Sequence, residues 1–379
     1  MYILVIYFLT FIAGMLELEK KISKKQALCI FAVITTIFLF RYNIGPDNGI
    51  YKYLFERVQN PITEAFYYHA SRNIGFNLLE YIVKNIFHSY TVFVFVVNLI
   101  VLGLCSYIIL KYSQSVLFSL GIFISSGFLQ VYYSSGIRQA CAMAIFFFAF
   151  YKSLPKKKYG EYYFLCLIAC SFHESAIITL LFPAIQKYIA YIKENQKKIL
   201  IAGSLISIVL FFATGILAPI IARKIGYDAP ISHILSYFTG ESFSFLGLAM
   251  EFVLTGIIIL LYVWNDDKED DFIYFQVVIS VFTLWFYIIF GKFSLISRIC
   301  DLIQVIFIIL IPYLLVHIQD IKEKTLLLMI ILLSSGFILF ADINATCKNI
   351  QKNKGYEDFT VQTFPYFTVF DEQQINKYQ

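Results

Sequence analysis

Three arginines stand at the edges of long apolar segments, where a permanent cation is costly and is therefore usually functional. Arg41 follows one such segment, whereas Arg138 and Arg298 each open another. A guanidinium group is planar and permanently charged, and it can bind two phosphate oxygens at once. These residues predict a membrane protein that binds a phosphorylated ligand at one surface of the bilayer.

A histidine and a carboxylate lie side by side within another apolar stretch. His173 and Glu174 interrupt the segment between Tyr162 and Phe182. At membrane depth such a pair should face a cavity rather than lipid, and an imidazole can exchange protons near neutral pH. The alternative is a histidine in a loop at the membrane interface, with no chemical role.

The residues next to the arginines favour the same kind of ligand. A tight turn over 45–49 follows Arg41 and contains Asp47. A helix that begins at Ile137 would carry Arg138 and Gln139 in its first turn, where unpaired N–H groups attract anions. The simpler alternatives are a snorkelling Arg41, a helix-packing face after Arg138, and an Arg298–Asp301 pair at i, i+3.

The composition places the chain among membrane proteins. Hydrophobic residues make up 59% and charged residues 15%, and the net charge of +5 has no basic domain that would bind nucleic acid. Apolar runs of about 17–22 residues match the thickness of the bilayer and predict an all-α polytopic protein with about 10–12 transmembrane or half-spanning helices. The sequence shows no metal-ligand cluster and no nucleotide-binding loop, so we expect no metal and no cofactor.

Lysines set the predicted topology. Lys20, Lys21, Lys24 and Lys25 follow the first span, 1–16, which places the amino terminus outside. On this topology all six arginines lie at or near the outer face, and lysines mark the inner loops. A further span begins at Ile137, and the others are predicted at about 27–40, 91–110, 116–133, 199–218, 243–263, 272–290, 298–316 and 325–341.

Residues 162–186 do not fit a simple crossing. A single span there would place the next lysines outside, whereas a hairpin of two short helices that turns near His173 keeps them inside. We therefore expect a re-entrant hairpin whose turn contributes to a site. The predicted organisation is one transmembrane domain over 1–341, with an outer loop over 41–90, and an extracytoplasmic tail over 342–379.

The outer loop contains a predicted amphipathic helix. Apolar residues recur at helical spacing and would face the membrane surface or dip into it. These residues are Phe76, Leu79, Ile82, Val83 and Ile86.

The order of these motifs resembles the EpsG-like branch of the O-antigen and capsule polymerases, the Wzy-type proteins. The resemblance spans nearly the whole chain and rests on several short patterns taken together. These are G-x-D-x-x-x-Y at Gly45, Asp47 and Tyr51; R-Q-x-x-A-x-A from Arg138; F-H-x-S-A at Phe172, His173, Ser175 and Ala176; and the pair Arg298-Ile299 with Pro312 further along. Two departures are Asn48, where an aromatic residue is common, and Asp301, where a tyrosine often follows.

The resemblance implies a glycosyltransferase that joins oligosaccharide repeat units linked to undecaprenyl diphosphate and releases undecaprenyl diphosphate. Arg138 and Arg298 would hold the departing diphosphate, with Arg41 contributing. His173 is the first candidate for the base, Asp47 the second and Glu174 a third. Gln139 and Tyr51 would bind sugar hydroxyls.

The expected location is the bacterial inner membrane, with the site facing the periplasm or the outside. The expected partners are the lipid-linked glycan and the bilayer, with a chain-length regulator as a further candidate. A lipid-linked glycan flippase or transporter, an O-antigen ligase and a membrane acyltransferase are alternative functions. A structural scaffold would explain neither the arginines nor the His-Glu pair.

Overall fold

The computed structural model describes residues 2–42, 47–63, 73–126, 136–225, 245–265, 270–291 and 293–354. The regular elements in these ranges are helices. In chain order they are α1 (Tyr2–Leu18), α2 (Lys24–Leu39), α3 (Asn48–Arg57), α4 (Ile74–Phe87), α5 (Tyr90–Tyr112), α6 (Val116–Ser125), α7 (Ile137–Ser153), α8 (Tyr159–Phe172), a 3₁₀ helix (Glu174–Leu181), α9 (Phe182–Lys187), α10 (Ile189–Glu194), α11 (Gln196–Ile225), α12 (Phe245–Val263), α13 (Asp271–Phe290), α14 (Ser294–Gln304), α15 (Phe307–Val316) and α16 (Ile321–Lys354).

Five of the described helices are long and apolar enough to cross a membrane, namely α5, α11, α12, α13 and α16. The helices α14 and α15 form a pair bent by 43°, which makes a sixth candidate span if the pair crosses as one. Two further helices, α1 and α6, are apolar but shorter. The predicted class, an all-α polytopic membrane protein, is confirmed.

Some predicted features lie outside the described residues. They are residues 43–46 of the first turn with Gly45, and the tail beyond Lys354. The helix α16 continues past 341 to Lys354, and the extracytoplasmic location of 342–379 stays a prediction.

The helices α1 and α6 cross at close range because a glycine stands where they meet. A Cβ atom on Gly14 would lie 2.6 Å from the Cα atom of Phe118. At the end of α1, the carboxylate of Glu17 accepts hydrogen bonds from the backbone N–H groups of Val116 (3.2 Å) and Leu117 (2.8 Å). These groups have no partner within α6, so Glu17 caps that helix from outside it.

The helix α7 lies in the middle of the bundle. Nearly all of its side chains are buried, including the run of small residues from Ala140 to Ala144. Small side chains let neighbouring helices approach closely. Its C-terminal end is fixed by Tyr151, whose hydroxyl donates to the backbone carbonyl of Ile306 at 2.8 Å. Because α7 is packed along its length and hydrogen-bonded near one end, its first turn, which carries Arg138, has a fixed position.

The chain reverses direction at His173. The helix α8 ends at Phe172, and the 3₁₀ helix returns alongside it, so that the Tyr162 hydroxyl donates to the carbonyl of Thr179 at 2.8 Å. Further back, the Gln186 amide donates to the carbonyl of Leu154 at 3.1 Å. Both ends of this segment thus lie at the same end of the bundle. The depth of the turn in the membrane stays a prediction.

The helix α4 packs against the end of α8. A Cβ atom on Gly75 would lie 3.0 Å from the Cβ atom of Ser171, so the two backbones are close. The face of α4 that packs against the protein comprises Phe76, Asn77, Glu80 and Val83, whereas Ile82 and Ile86 are exposed. That the apolar side chains of α4 meet the membrane surface stays a prediction.

Replacing Gly14 with alanine is expected to destabilise the protein, because the new methyl group would push two helix backbones apart. Overpacking of this kind costs about 1–3 kcal/mol. The measurement is the midpoint of thermal denaturation of the purified protein in detergent.

Gly103→Ala is the matched control. Gly103 also lies within a helix, and a Cβ atom there would meet no other atom within 4 Å. Equal denaturation midpoints for Gly14→Ala and wild type would show that the α1–α6 crossing has room to spare.

Candidate active site

Residues predicted to form a site come together where α3, α4, the first turn of α7 and the His173 turn meet. Arg138 is half-buried there, and its Cζ atom lies 5.4 Å from the centre of the Tyr51 ring. The Tyr51 ring is buried and packs in turn on Phe76 of α4, with 5.7 Å between ring centres. The cation is thus held over an aromatic face, an attractive arrangement.

An asparagine that was not predicted links two of the predicted residues. The side-chain carbonyl of Asn73 accepts a hydrogen bond from Nη1 of Arg138 (3.2 Å), and its amide nitrogen donates to Oε2 of Glu174 (3.3 Å). Asn73 is buried, whereas Glu174 is exposed. The amide therefore holds a guanidinium and a carboxylate in a fixed relation at the boundary between protein and solvent.

A second unpredicted residue, Glu80 of α4, places a carboxyl group near Arg138. It is 1% exposed and lies within electrostatic reach of Arg138 and of the Tyr90 hydroxyl. That hydroxyl also donates to the side-chain carbonyl of Asn48 at 2.9 Å. A buried carboxylate can offset the positive charge of a nearby guanidinium. The attraction between the two groups matters more there, because neither is fully solvated by water.

The phenol of Tyr51 remains protonated in this environment. Burial raises its pKa above the ordinary value, and the positive charge of Arg138 opposes that rise. Tyr51 is therefore a hydrogen-bonding group in the site.

His173 has a defined hydrogen-bonding arrangement. Its Nδ1 atom accepts a hydrogen bond from the backbone N–H of Ser175 at 3.2 Å, and it lies 2.8 Å from the Ser175 hydroxyl. A backbone N–H can only donate, so Nδ1 must present its lone pair. The proton of a neutral imidazole is then on Nε2, and this atom can donate but cannot accept a proton.

Arg298 joins the group from α14. The Gln139 side chain donates to the backbone carbonyl of Arg298 at 3.0 Å, which ties the first turns of α7 and α14 together. The Arg298 side chain is exposed and lies within electrostatic reach of Tyr51, His173 and Glu174. Gln139 therefore positions Arg298 through the backbone.

Asp47 lies at the start of α3. Its side chain is exposed and makes no capping hydrogen bond to the helix, while its backbone carbonyl accepts from the Tyr51 N–H at 3.0 Å. It is within electrostatic reach of the Tyr51 hydroxyl. The Asp47 carboxylate thus lies at the solvent-exposed edge of this group of residues.

Arg41 lies deeper, at the end of α2. It is 2% exposed, and its backbone carbonyl accepts a hydrogen bond from the Asn98 side chain at 2.7 Å. The next residue, Tyr42, packs on Tyr90 with 6.2 Å between ring centres. The backbone next to Arg41 is therefore connected to the group through Tyr42 and Tyr90.

In chemical terms the group offers permanent cations, a histidine N–H donor and exposed carboxylates within one small volume. Two guanidinium groups can stabilise an anion that develops during a reaction, and a nearby carboxylate can accept a proton. Among the described residues, no group of three histidine, cysteine or acidic side chains is arranged to hold a metal ion.

Asn73 and Glu80 were missed in the sequence, and Ser175 was noted only as part of a pattern. Glu80 carries a detectable signal, because it is an ionisable residue at i+4 from Phe76 and i−3 from Val83, both of which are apolar. Asn73 carries none, because an asparagine before a helix is most simply interpreted as a cap.

A comparison with protein families agrees with the resemblance seen in the motifs. A model of the EpsG family matches residues 24–366, which include every predicted site residue. Neither the curated proteins nor the solved structures contain a match. The match extends over most of the 379 residues, and we conclude that the chain belongs to the EpsG family.

Proposed function

We propose that this protein is a polysaccharide polymerase that joins oligosaccharide repeat units carried on undecaprenyl diphosphate. The growing glycan moves to a hydroxyl of the non-reducing sugar of the next lipid-linked unit. A glycosidic bond forms, the bond between the anomeric carbon and the diphosphate breaks, and undecaprenyl diphosphate leaves. The acceptor hydroxyl gives its proton to a base.

The observation that carries the proposal is the pair of guanidinium groups, Arg138 and Arg298, beside exposed carboxylates in a helical membrane protein of the EpsG family. A departing diphosphate gains negative charge as its bond breaks. Cations that are already in position stabilise that charge more in the transition state than in the ground state, which lowers the barrier. Arg41 is a further candidate for binding the diphosphate.

We assign the donor and acceptor roles from the state of His173. Because Nδ1 accepts the Ser175 N–H, the ring offers Nε2–H as a donor to the diphosphate or to a sugar oxygen. The base is then best sought among the exposed carboxylates. Asp47 is preferred, because its side chain does not cap its helix, whereas Glu174 accepts a hydrogen bond from the Asn73 amide. Gln139 and Tyr51 complete the site as positioning and hydroxyl-binding groups.

The reaction would take place at the outer face of a bacterial inner membrane. The support for this orientation is the lysine pattern, which places the start of α7, the end of α2 and the start of α14 on the outer side. Lipid-linked repeat units would reach the site from the outer leaflet.

The decisive experiment is a surface-glycan gel from the native strain with the gene deleted and then restored. Collapse of the ladder to one repeat unit in the deletion strain supports the polymerase. Loss of all surface glycan would instead indicate a flippase or a ligase. An unchanged ladder would contradict glycan assembly and favour the acyltransferase alternative.

Arg138→Lys is expected to restore little of the ladder. A lysine supplies one compact charge, whereas the guanidinium contacts Asn73, the Tyr51 ring and the ligand together. We expect the rate of polymer formation to fall by about 10²–10³, as for the loss of a transition-state donor.

Arg57→Lys provides the matched control. Arg57 also lies over a tyrosine ring, 4.5 Å from the centre of Tyr53, but it is exposed on the surface of α3. This variant should behave as wild type. Full activity in Arg138→Lys would remove Arg138 from the diphosphate site.

The His173 variants distinguish a donor from a base. Glutamine can donate a hydrogen bond from its amide but cannot take up a proton, so His173→Gln should be about tenfold more active than His173→Ala. The measurement is the initial rate of dimer formation from purified lipid-linked repeat units. Equal inactivity of both variants would make His173 the base.

Asp47→Asn is expected to lower the catalytic rate by about 10²–10⁴, the usual contribution of a general base. The denaturation midpoint should stay unchanged, because the Asp47 side chain does not cap α3. Both quantities are measured on the same purified variant. A near-normal rate would exclude Asp47 as the base, and a lowered midpoint would indicate a structural role.

A further inference from the structure

Two carboxylates near Arg138 differ in what they can do. Glu80 is buried in the body of the protein, near Arg138. Glu174 is exposed, so any ligand that enters the site meets its charge. The two residues lie on different elements, α4 and the 3₁₀ helix.

The position of Glu174 is well defined despite its exposure. The buried amide of Asn73 donates to its Oε2 atom at 3.3 Å. Glu174 also directly follows His173, whose ring is fixed on Ser175. A carboxylate held at both its backbone and its oxygen atom acts on a ligand as a fixed charge rather than as a mobile surface group.

The position of Glu174 affects how an acceptor sugar would bind. It lies within electrostatic reach of both Arg138 and Arg298, the two cations assigned to the diphosphate. The acceptor hydroxyl must reach the carbon that bears that diphosphate, so the acceptor sugar has to lie next to the two cations. The exposed side of Glu174 therefore borders the region in which the acceptor sugar would lie.

We propose that Glu174 is a specificity-determining residue that excludes acidic sugars from the acceptor position. This inference rests on the proposed polymerase function. A uronate or a phosphorylated sugar would bring a second negative charge to the side of Glu174, and the repulsion between like charges would disfavour its binding. A neutral sugar meets no such repulsion, and its hydroxyl groups can donate to the carboxylate.

The test measures a selectivity ratio with the full-length protein in nanodiscs. The donor is the native lipid-linked repeat unit, and two soluble acceptor glycosides are compared. One ends in the native acceptor sugar, and the other ends in the same sugar oxidised to the carboxylate at C6. We expect wild type to extend the neutral acceptor at least roughly tenfold faster, and Glu174→Gln to reduce this ratio by roughly tenfold.

Glu56→Gln is the matched control, because Glu56 is an exposed carboxylate on the outer surface of α3. Its ratio should equal that of wild type. A ratio avoids confusion with partial loss of folding, since both acceptors are measured on the same sample of protein.

Two results would overturn the inference and leave the polymerase standing. One is an unchanged ratio in Glu174→Gln while the neutral acceptor is still extended. The other is a native polymer in which the acceptor sugar at the joint is itself a uronate. If wild type extends neither acceptor and also fails to join the intact lipid-linked units to one another, the proposed function fails, and the inference fails with it.

Discussion

A guanidinium group in the first turn of a buried helix is unfavourable on two counts. Arg138 has lost part of its water, and it faces the positive end of the α7 dipole. The surrounding residues compensate from separate elements: the ring of Tyr51 from α3, the amide of Asn73, and the carboxylate of Glu80 from α4, with Glu174 from the 3₁₀ helix. The site therefore exists only when these elements are assembled around α7.

The packing of the helices holds these elements in position around α7. Because α7 is buried on all sides, its first turn cannot shift without moving its neighbours. Gly75 lets α4 approach the end of α8, and the reversal at His173 brings Glu174 back toward α7. Gln139 then connects α14, which carries Arg298. Residues far apart in the chain thus meet at one end of the bundle through backbone positions rather than through long side chains.

The sequence was informative where polar residues interrupt apolar runs. Arg138, His173 and Arg298 were found in this way, because an ionisable group within an apolar segment has few explanations other than function. The apolar spacing in α4 did not indicate which of its residues pack against the protein, because a helix beside a membrane can expose apolar side chains. Its apolar residues Ile82 and Ile86 point outward, whereas Glu80 points into the protein. Asn73 could not be found, since its role depends on two residues brought to it by folding.

The state of His173 shows how a backbone contact can decide the direction of proton transfer. As long as the Ser175 N–H occupies Nδ1, a second proton on the ring would face a donor, so the imidazole is best suited to donate through Nε2. Hydrogen-bond donors and cations are needed next to the diphosphate, which would gain negative charge. Carboxylates are needed next to the hydroxyl that would lose its proton. Arg138, Arg298 and His173 are such donors and cations, and Asp47 and Glu174 are such carboxylates. The proposed transfer of a glycan from a lipid diphosphate to a sugar hydroxyl needs both kinds of group.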